Sequence, residues 1–394
     1  MPQSYCCAAF NIFGWLSICS GVTIQAGPFI EAIRLLFNPD SKVSPWQYFL
    51  LYQATDVLIL LYNIYLLRRT NWIHDVGFVF SLCSFVIIFV TCLSRSGTFN
   101  SAEFVWTSFI NDSGWGSDAV VFLSGMANPN FLWAGIDGAI HLAEECSNAS
   151  TAVPGALFST IIVGFVTAFP FGIAMLYCIK DFDLVTADLT GVPIYEIWYQ
   201  ATHSAAAATA FVIFILMIAL FALNGCVEVS ARLTWSFARD NALVGSKYIG
   251  KVDEKQKVPT WALLANAFVI LIIGCFYLGS STAFNAFIGS GLLLQQCCFA
   301  MLAALLLWHR RSDFVLPLNR KVRLGWFGWV ANMVTLLFAP LITIIYCFPL
   351  TLPVAPSNAN YASAVVGVMI LFVILNWFLH ARKHFKGPRI QWSS

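Results

Sequence analysis

Ten stretches of mostly apolar residues, each about as long as a membrane is thick, leave this chain few ways to fold. They run over 6–29, 46–67, 73–94, 119–142, 156–178, 206–228, 260–279, 282–308, 327–348 and 361–380. A helix rises 1.5 Å per residue, so it needs about 20 apolar residues to cross a hydrocarbon core about 30 Å thick. In lipid every backbone N–H and C=O must find a partner inside the segment or around a closed barrel. These runs are too long, and alternate too little, for barrel strands. An all-α polytopic membrane protein of ten spans follows. Composition agrees, with 59% hydrophobic and only 10% charged residues among 394, where soluble domains carry about 25% charged. An ordinary soluble enzyme and a disordered chain are thereby excluded. The net charge of +2 gives no electrostatic footprint for nucleic acid.

Lys and Arg near the span ends set orientation, because cytoplasmic loops retain them. With Met1 inside, 17 of the 21 cations fall in cytoplasmic segments and 4 outside, at Arg34, Lys42, Arg95 and Lys180; none lies within a span. Both termini are therefore expected in the cytoplasm, with 381–394 as a cytoplasmic tail. The sequon Asn111-Asp112-Ser113 then falls outside and Asn148-Ala149-Ser150 inside.

The fourth span concentrates what does not belong in lipid. It carries Gly125, Asn128, Pro129, Gly135, Asp137, Gly138 and His141, with Glu144 and Glu145 at its end. Pro129 removes an amide donor, Asn128 before it is pushed from helical geometry, and the glycines loosen the helix further. A helix break is expected around Gly125, Asn128 and Pro129. Broken helices at mid-membrane expose backbone groups that bind small solutes; the alternative is a proline kink satisfied by neighbouring helices. Asp137, His141 and Glu145 recur at i, i+4 and i+8 and share a helical face, as a proton or gating relay would. The bland alternative makes His141, Glu144 and Glu145 a solvated helix end.

Elsewhere Asp56 in the second span has Tyr52, Gln53 and Thr55 beside it and reads as a hydrogen-bonded structural group. Glu228 and Arg232 form an i, i+4 pair. Residues 230–241, with Trp235 and Phe237, read as an interfacial helix on the cytoplasmic leaflet. The 12 cysteines lack any Cys-x-x-Cys spacing and read as small packing residues. No metal site is expected, because His141 and Glu145 find no cluster to complete one. No cofactor is expected either.

Several separated motifs carry a family resemblance. They are Gly135-Ile136-Asp137 with His141 and Glu144-Glu145; Pro154 and Ala156; Ala231-Arg232-Leu233-Thr234-Trp235 with Ala238-Arg239-Asp240; Asn360-Tyr361; and Gly387-Pro388. In order and spacing, from Phe13-Gly14-Trp15 to Pro388, the chain resembles the amino acid–polyamine–organocation permease superfamily. More narrowly, it is similar to the fungal amino acid/choline/GABA permeases. That resemblance implies a LeuT-like bundle of two inverted five-helix repeats plus two further helices. It makes the ten spans the family's third to twelfth, so the expected fold is an N-terminally truncated bundle whose first two helices would precede Met1. The fourth span then corresponds to the family's sixth helix, part of the solute site.

The expected function is a secondary transporter of a small nitrogenous solute (an amino acid, GABA or a choline-like amine) working by alternating access in the lipid bilayer, with protons as a further partner. Trp133, Ala134, Gly135, Ile136 and Asp137 would wall the solute site, with aromatic faces available to a cationic amine. Asp137, His141 and Glu145 would couple or gate. The plasma membrane is favoured over internal membranes. The competing reading is a truncated, non-transporting relative acting as a sensor or accessory subunit. A membrane enzyme lacks any catalytic constellation.

Overall fold

The structure is a computed structural model that describes residues 2–37, 44–146, 148–187, 191–313, 315–316, 320–356 and 358–387. Lys42, Pro388 and the tail beyond 387 lie outside the described residues. Every regular element among the described residues is helical. In chain order the principal helices are α1 (Pro2–Phe37), α2 (Pro45–Tyr65), α3 (Ile73–Arg95), α4 (Asp118–Gly125), α5 (Ala127–Leu132), α6 (Gly138–His141), α7 (Ala149–Cys178), α8 (Pro193–Thr202), α9 (Ala205–Arg239), α10 (Thr260–Gly279), α11 (Ser281–Trp308), α12 (Gly325–Ile345) and α13 (Ala362–Asn376).

Eight of these helices are long and apolar enough to cross a membrane: α1, α3, α7, α9, α10, α11, α12 and α13 with its continuation to His384. The protein is an all-helical, multi-pass integral membrane protein. The second expected span, α2, is a helix of 21 residues that Gln53, Asp56 and Asn63 make too polar to join that set. The fourth is not one helix but the three pieces α4, α5 and α6.

Local chemistry explains the helix starts. Ser44 and Gln47 form a capping box ahead of α2, with the Ser44 N–H donating to Gln47 Oε1 at 3.0 Å, and Pro45 takes the first helical position, where no N–H is needed. Ser280 caps α11, its Oγ accepting from the Ala283 N–H at 3.2 Å.

The helices assort into two compact units. One comprises residues 1–20, 111–157 and 226–394; the other comprises 21–110 and 158–225. In the second unit, Ile88, Cys92, Met175, Trp198, Phe211 and Val212 form a buried core. Gly77 allows the close approach of Phe221, whose Cβ would lie 2.9 Å from any Cβ at that position. Asn63 donates to Asn224 Oδ1 at 2.9 Å, both side chains buried, so each amide meets part of the other's hydrogen-bonding need in an apolar setting. Asp56 is also buried here; Thr55 turns its hydroxyl to the Leu51 carbonyl at 2.8 Å and not to Asp56.

In the first unit, α1 and α11 cross at small residues. A Cβ on Gly14 would sit 3.3 Å from the Gly291 carbonyl, and one on Gly291 would run into Ser17. Without a hydrophobic drive between helices in lipid, such backbone approach is what dispersion contacts require. The segment read as a surface helix is instead the unbroken end of α9. Ser230 and Thr234, one turn apart, both bond Asn266 of α10 at 2.9 Å, while Trp235 Nε1 donates to the Gly250 carbonyl at 3.1 Å. Those bonds hold residues 230–239 against protein, and Phe237 is buried.

The crossing is directly testable. Gly291→Leu should lower the thermal unfolding midpoint of the detergent-solubilised protein, the overpacking costing about 1–3 kcal/mol or more. Gly367→Leu, at a position with open space around it, should shift the midpoint little. Equal shifts would contradict the crossing.

Candidate functional site

The site is built on the interrupted fourth span and the first turns of α1, all within the first unit. The chain turns at Met126, after Gly125 closes α4. Asn128 and Pro129 then lie in the first turn of α5, where a proline ring is tolerated because the early N–H groups have no helical partner. The wider opening of the helix is further on, at Trp133–Asp137. There the backbone makes short turn bonds: Trp133 to Asn130, Ala134 to Phe131 and Gly138 to Gly135, at 3.2, 3.1 and 2.9 Å. The span is therefore interrupted at Met126, between Gly125 and Asn128, and more widely over the five residues expected to wall the solute site.

Two glycines and a tryptophan shape that opening. Gly135 adopts φ +78°, which an L side chain rarely tolerates. A Cβ there would be 3.1 Å from the Trp15 ring, and a Cβ on Gly138 would be 3.2 Å from the same ring. The indole of Trp15, only 3% exposed, thus lies against the backbone of the opened segment. Trp133, Ala134, Gly135 and Ile136 are half-buried.

Asp137 is 4% exposed, and its two oxygens have opposite fates. Oδ2 accepts from Asn11 Nδ2 at 3.1 Å, from Trp15 Nε1 at 3.4 Å and from His141 Nε2 at 3.0 Å. Oδ1 is buried and meets no hydrogen-bond donor among the described residues. Asn11 Nδ2 also lies 3.2 Å from His141 Nε2, so the amide, the imidazole and the carboxylate form one cluster. A carboxylate held by three donors is strongly oriented, each charge-assisted bond contributing about 1.5–3 kcal/mol, while an unmet buried oxygen costs a similar amount or more.

Asn11 and Trp15 lie 126 and 122 residues before Asp137 in sequence. Their signal was slight: one of two amides in an apolar span, and a tryptophan away from the span's ends.

The helical face shared by Asp137, His141 and Glu145 does not continue. The α geometry ends at His141, and Ala143–Glu145 form a tight 3₁₀ turn. Glu145 is accordingly drawn to Arg232, whose Nη2 donates to its Oε2 at 2.7 Å and which also pairs with Glu228. Glu144 receives Arg239 in a two-pronged contact, both bonds at 3.1 Å, and Arg239 stacks over Trp235 at 4.7 Å. A pocket of about 380 Å³ lies among His141, Glu144, Glu145, Arg232, Trp235 and Ser236. A second cavity, of about 420 Å³, is lined by Ser124, Phe131, Asn285, Tyr346 and Asn360 among others; it does not touch residues 133–137. Among the described residues no group of three His, Cys, Asp or Glu side chains is arranged to hold a metal ion.

The family model for amino acid permeases matches residues 2–372. The chain belongs to the amino acid permease family. A choline transporter of Saccharomyces cerevisiae is 32% identical over 387 residues, covering 97% of this chain and 67% of the relative. A 7-keto 8-aminopelargonic acid transporter of the same yeast is 30% identical over 92% of this chain and 67% of its own length. A transmembrane transporter of Metarhizium robertsii, swnT, is 29% identical over 91% of this permease and 70% of its own length. Relatives of this kind fit a membrane transporter of the amino acid–polyamine–organocation superfamily.

The ionic contacts of the permease predict a pH and salt signature. The hydrogen bond from Arg239 holds the Glu144 carboxyl below its ordinary value of 4.5. A depressed carboxyl contributes stability above its unfolded value and loses it as pH falls through the folded one. The Glu144 side chain is 66% exposed, so the pair is screened and weak. Glu144→Gln should therefore cost little at pH 7 and progressively less as the pH falls through the folded value, and 0.5 M salt should erase the difference. Arg232→Ala, which strands Glu228 and Glu145 together, should destabilise more at pH 7, and Arg232→Lys should recover only part. Thermal unfolding across pH and salt checks all three.

Proposed function

We propose that the protein moves a small nitrogenous solute, an amino acid, GABA or a choline-like amine, across a membrane by alternating access. The observation that carries this reading is the divided carboxylate of Asp137. Three donors hold Oδ2, while Oδ1, buried and unmet, is an acceptor for a cationic nitrogen. Opposite charges about 4 Å apart attract by roughly 4 kcal/mol at an effective dielectric of 20, enough to select an amine over a neutral isostere. Trp133, in the same opened segment, would offer a ring face to the same cation. The opened backbone at Trp133–Asp137 supplies polar groups for the rest of the solute.

Proton coupling runs through the contact of Asp137 with His141, which borders the 380 Å³ pocket. Glu145, bound to Arg232, acts as a gate and not as a third relay member. In this reading the chain crosses the membrane ten times, counting α2 and the interrupted α4–α6, with both termini in the cytoplasm and the plasma membrane as its site.

Uptake of labelled choline, GABA and amino acids into proteoliposomes tests the reading. At least one should accumulate with saturation. Asp137→Asn should reduce that uptake about 30-fold or more, since losing one partner of a buried charge pair costs 2–5 kcal/mol. Its unfolding midpoint would show whether the variant folds. Accumulation of none of these solutes, or full uptake by a folded Asp137→Asn, would overturn the proposal. Binding without uptake would point to the sensor or accessory-subunit reading.

A further inference from the structure

Four of the twelve cysteines are brought together by the crossing of α1 and α11. Cys6 and Cys7 lie near the start of α1, and Cys297 and Cys298 lie in the second half of α11. Cys298 Sγ donates to the Cys7 carbonyl at 3.3 Å, so the two residues meet across the crossing. All four are free thiols.

The helices themselves create this arrangement. Gly14 and Gly291 abut, and each lies seven residues, two helical turns, from its partner of the thiol pair. The helices run antiparallel through the contact, so one close approach at the glycines extends to Cys7 and Cys298. Adjacent residues on one helix point about 100° apart, which disfavours bonding within Cys6-Cys7 or Cys297-Cys298. Across the two helices Cys298 Sγ already reaches the backbone of Cys7.

We propose that Cys7 and Cys298 are an oxidant-responsive pair, closing as a reversible disulfide that fixes α1 to α11 beside the Asp137 cluster. Asn11 and Trp15, which hold Asp137, lie one and two turns along α1 from Cys7. The oxidant is a small uncharged peroxide. Cys7, the less buried of the pair, attacks one peroxide oxygen: an S–O bond forms, the O–O bond breaks, and the departing hydroxide takes the thiol proton as water. Cys298 then attacks the sulfenic sulfur: the S–S bond forms, the S–O bond breaks, and a second water leaves. Two thiols and one hydrogen peroxide give one disulfide and two waters. A thiol returns the pair to the reduced state by exchange. In the proposed topology Cys7 lies at the cytoplasmic end, where the ambient poise keeps thiols reduced, so closure would mark an oxidative episode.

The test oxidises the purified full chain in nanodiscs with hydrogen peroxide, blocks remaining thiols with N-ethylmaleimide, and maps peptides by mass spectrometry. The expected product is a Cys7–Cys298 cross-linked peptide, with loss of two alkylatable thiols that dithiothreitol restores. Cys7→Ser and Cys298→Ser should each abolish it, while Cys6→Ser and Cys297→Ser should leave it. The decisive species forms in the unmodified protein, so misfolding of a variant cannot mimic it. A different pairing, a cross-link between molecules, or over-oxidation without a cross-link would overturn the proposal. The effect on the site rests on the transport reading: peroxide should abolish solute uptake reversibly in the unmodified chain and leave Cys298→Ser unaffected. A chain that takes up no solute before oxidation fails the transport reading, while the peptide map still decides the thiol pair.

Discussion

The seating of the Trp15 indole on Gly135 and Gly138 is the contact on which the rest of the site depends. The ring occupies the space where side chains would stand at both positions. Its Nε1–H reaches the carboxylate lying between them in sequence. One side chain thus both permits the opened backbone and orients the charge within it. Gly135 supplies a left-handed conformation, Gly138 supplies clearance, and Asp137 is held among Asn11, Trp15 and His141. An alanine at 135 would add a Cβ to a φ of +78° and press it against the ring, so a small chemical change would disturb position and charge together.

The two acidic groups that follow, Glu144 and Glu145, belong to a different physical regime. They are largely exposed and face arginines at the end of α9. Asp137 is buried, and its interactions are screened far less. The short 3₁₀ turn at Ala143–Glu145 separates the two regimes by ending the helical register. The buried group is suited to recognising charge, whereas the exposed ones are suited to contacts that form and release with little cost.

Much of this was legible in the residues. Long apolar runs fixed the helical class, and Asp137 and His141 at i, i+4 do meet, as do Glu228 and Arg232. Local spacing failed where tertiary partners decide. Glu145 left the shared face because the α register stopped, and the wider opening of the span fell beyond Pro129, at Trp133–Asp137. Residues 230–239 looked amphipathic enough for a membrane surface, yet Ser230 and Thr234 had a buried partner in Asn266 with no local trace. Asn11, Trp15 and the Cys7–Cys298 contact come from segments more than a hundred residues away from what they touch. No window along the chain contains that information.

The central claim is that Asp137 Oδ1, in the opened segment at Trp133–Asp137, receives the solute's nitrogen. The most direct measurement is an electron cryo-microscopy structure of the protein in nanodiscs with a saturating cationic amine. The account predicts density for the amine within contact of Asp137 Oδ1 and against Trp133, with Asn11, Trp15 and His141 still on Oδ2. Density in the cavity by Phe131 and Tyr346 instead, with Asp137 Oδ1 met by a protein donor, would contradict it.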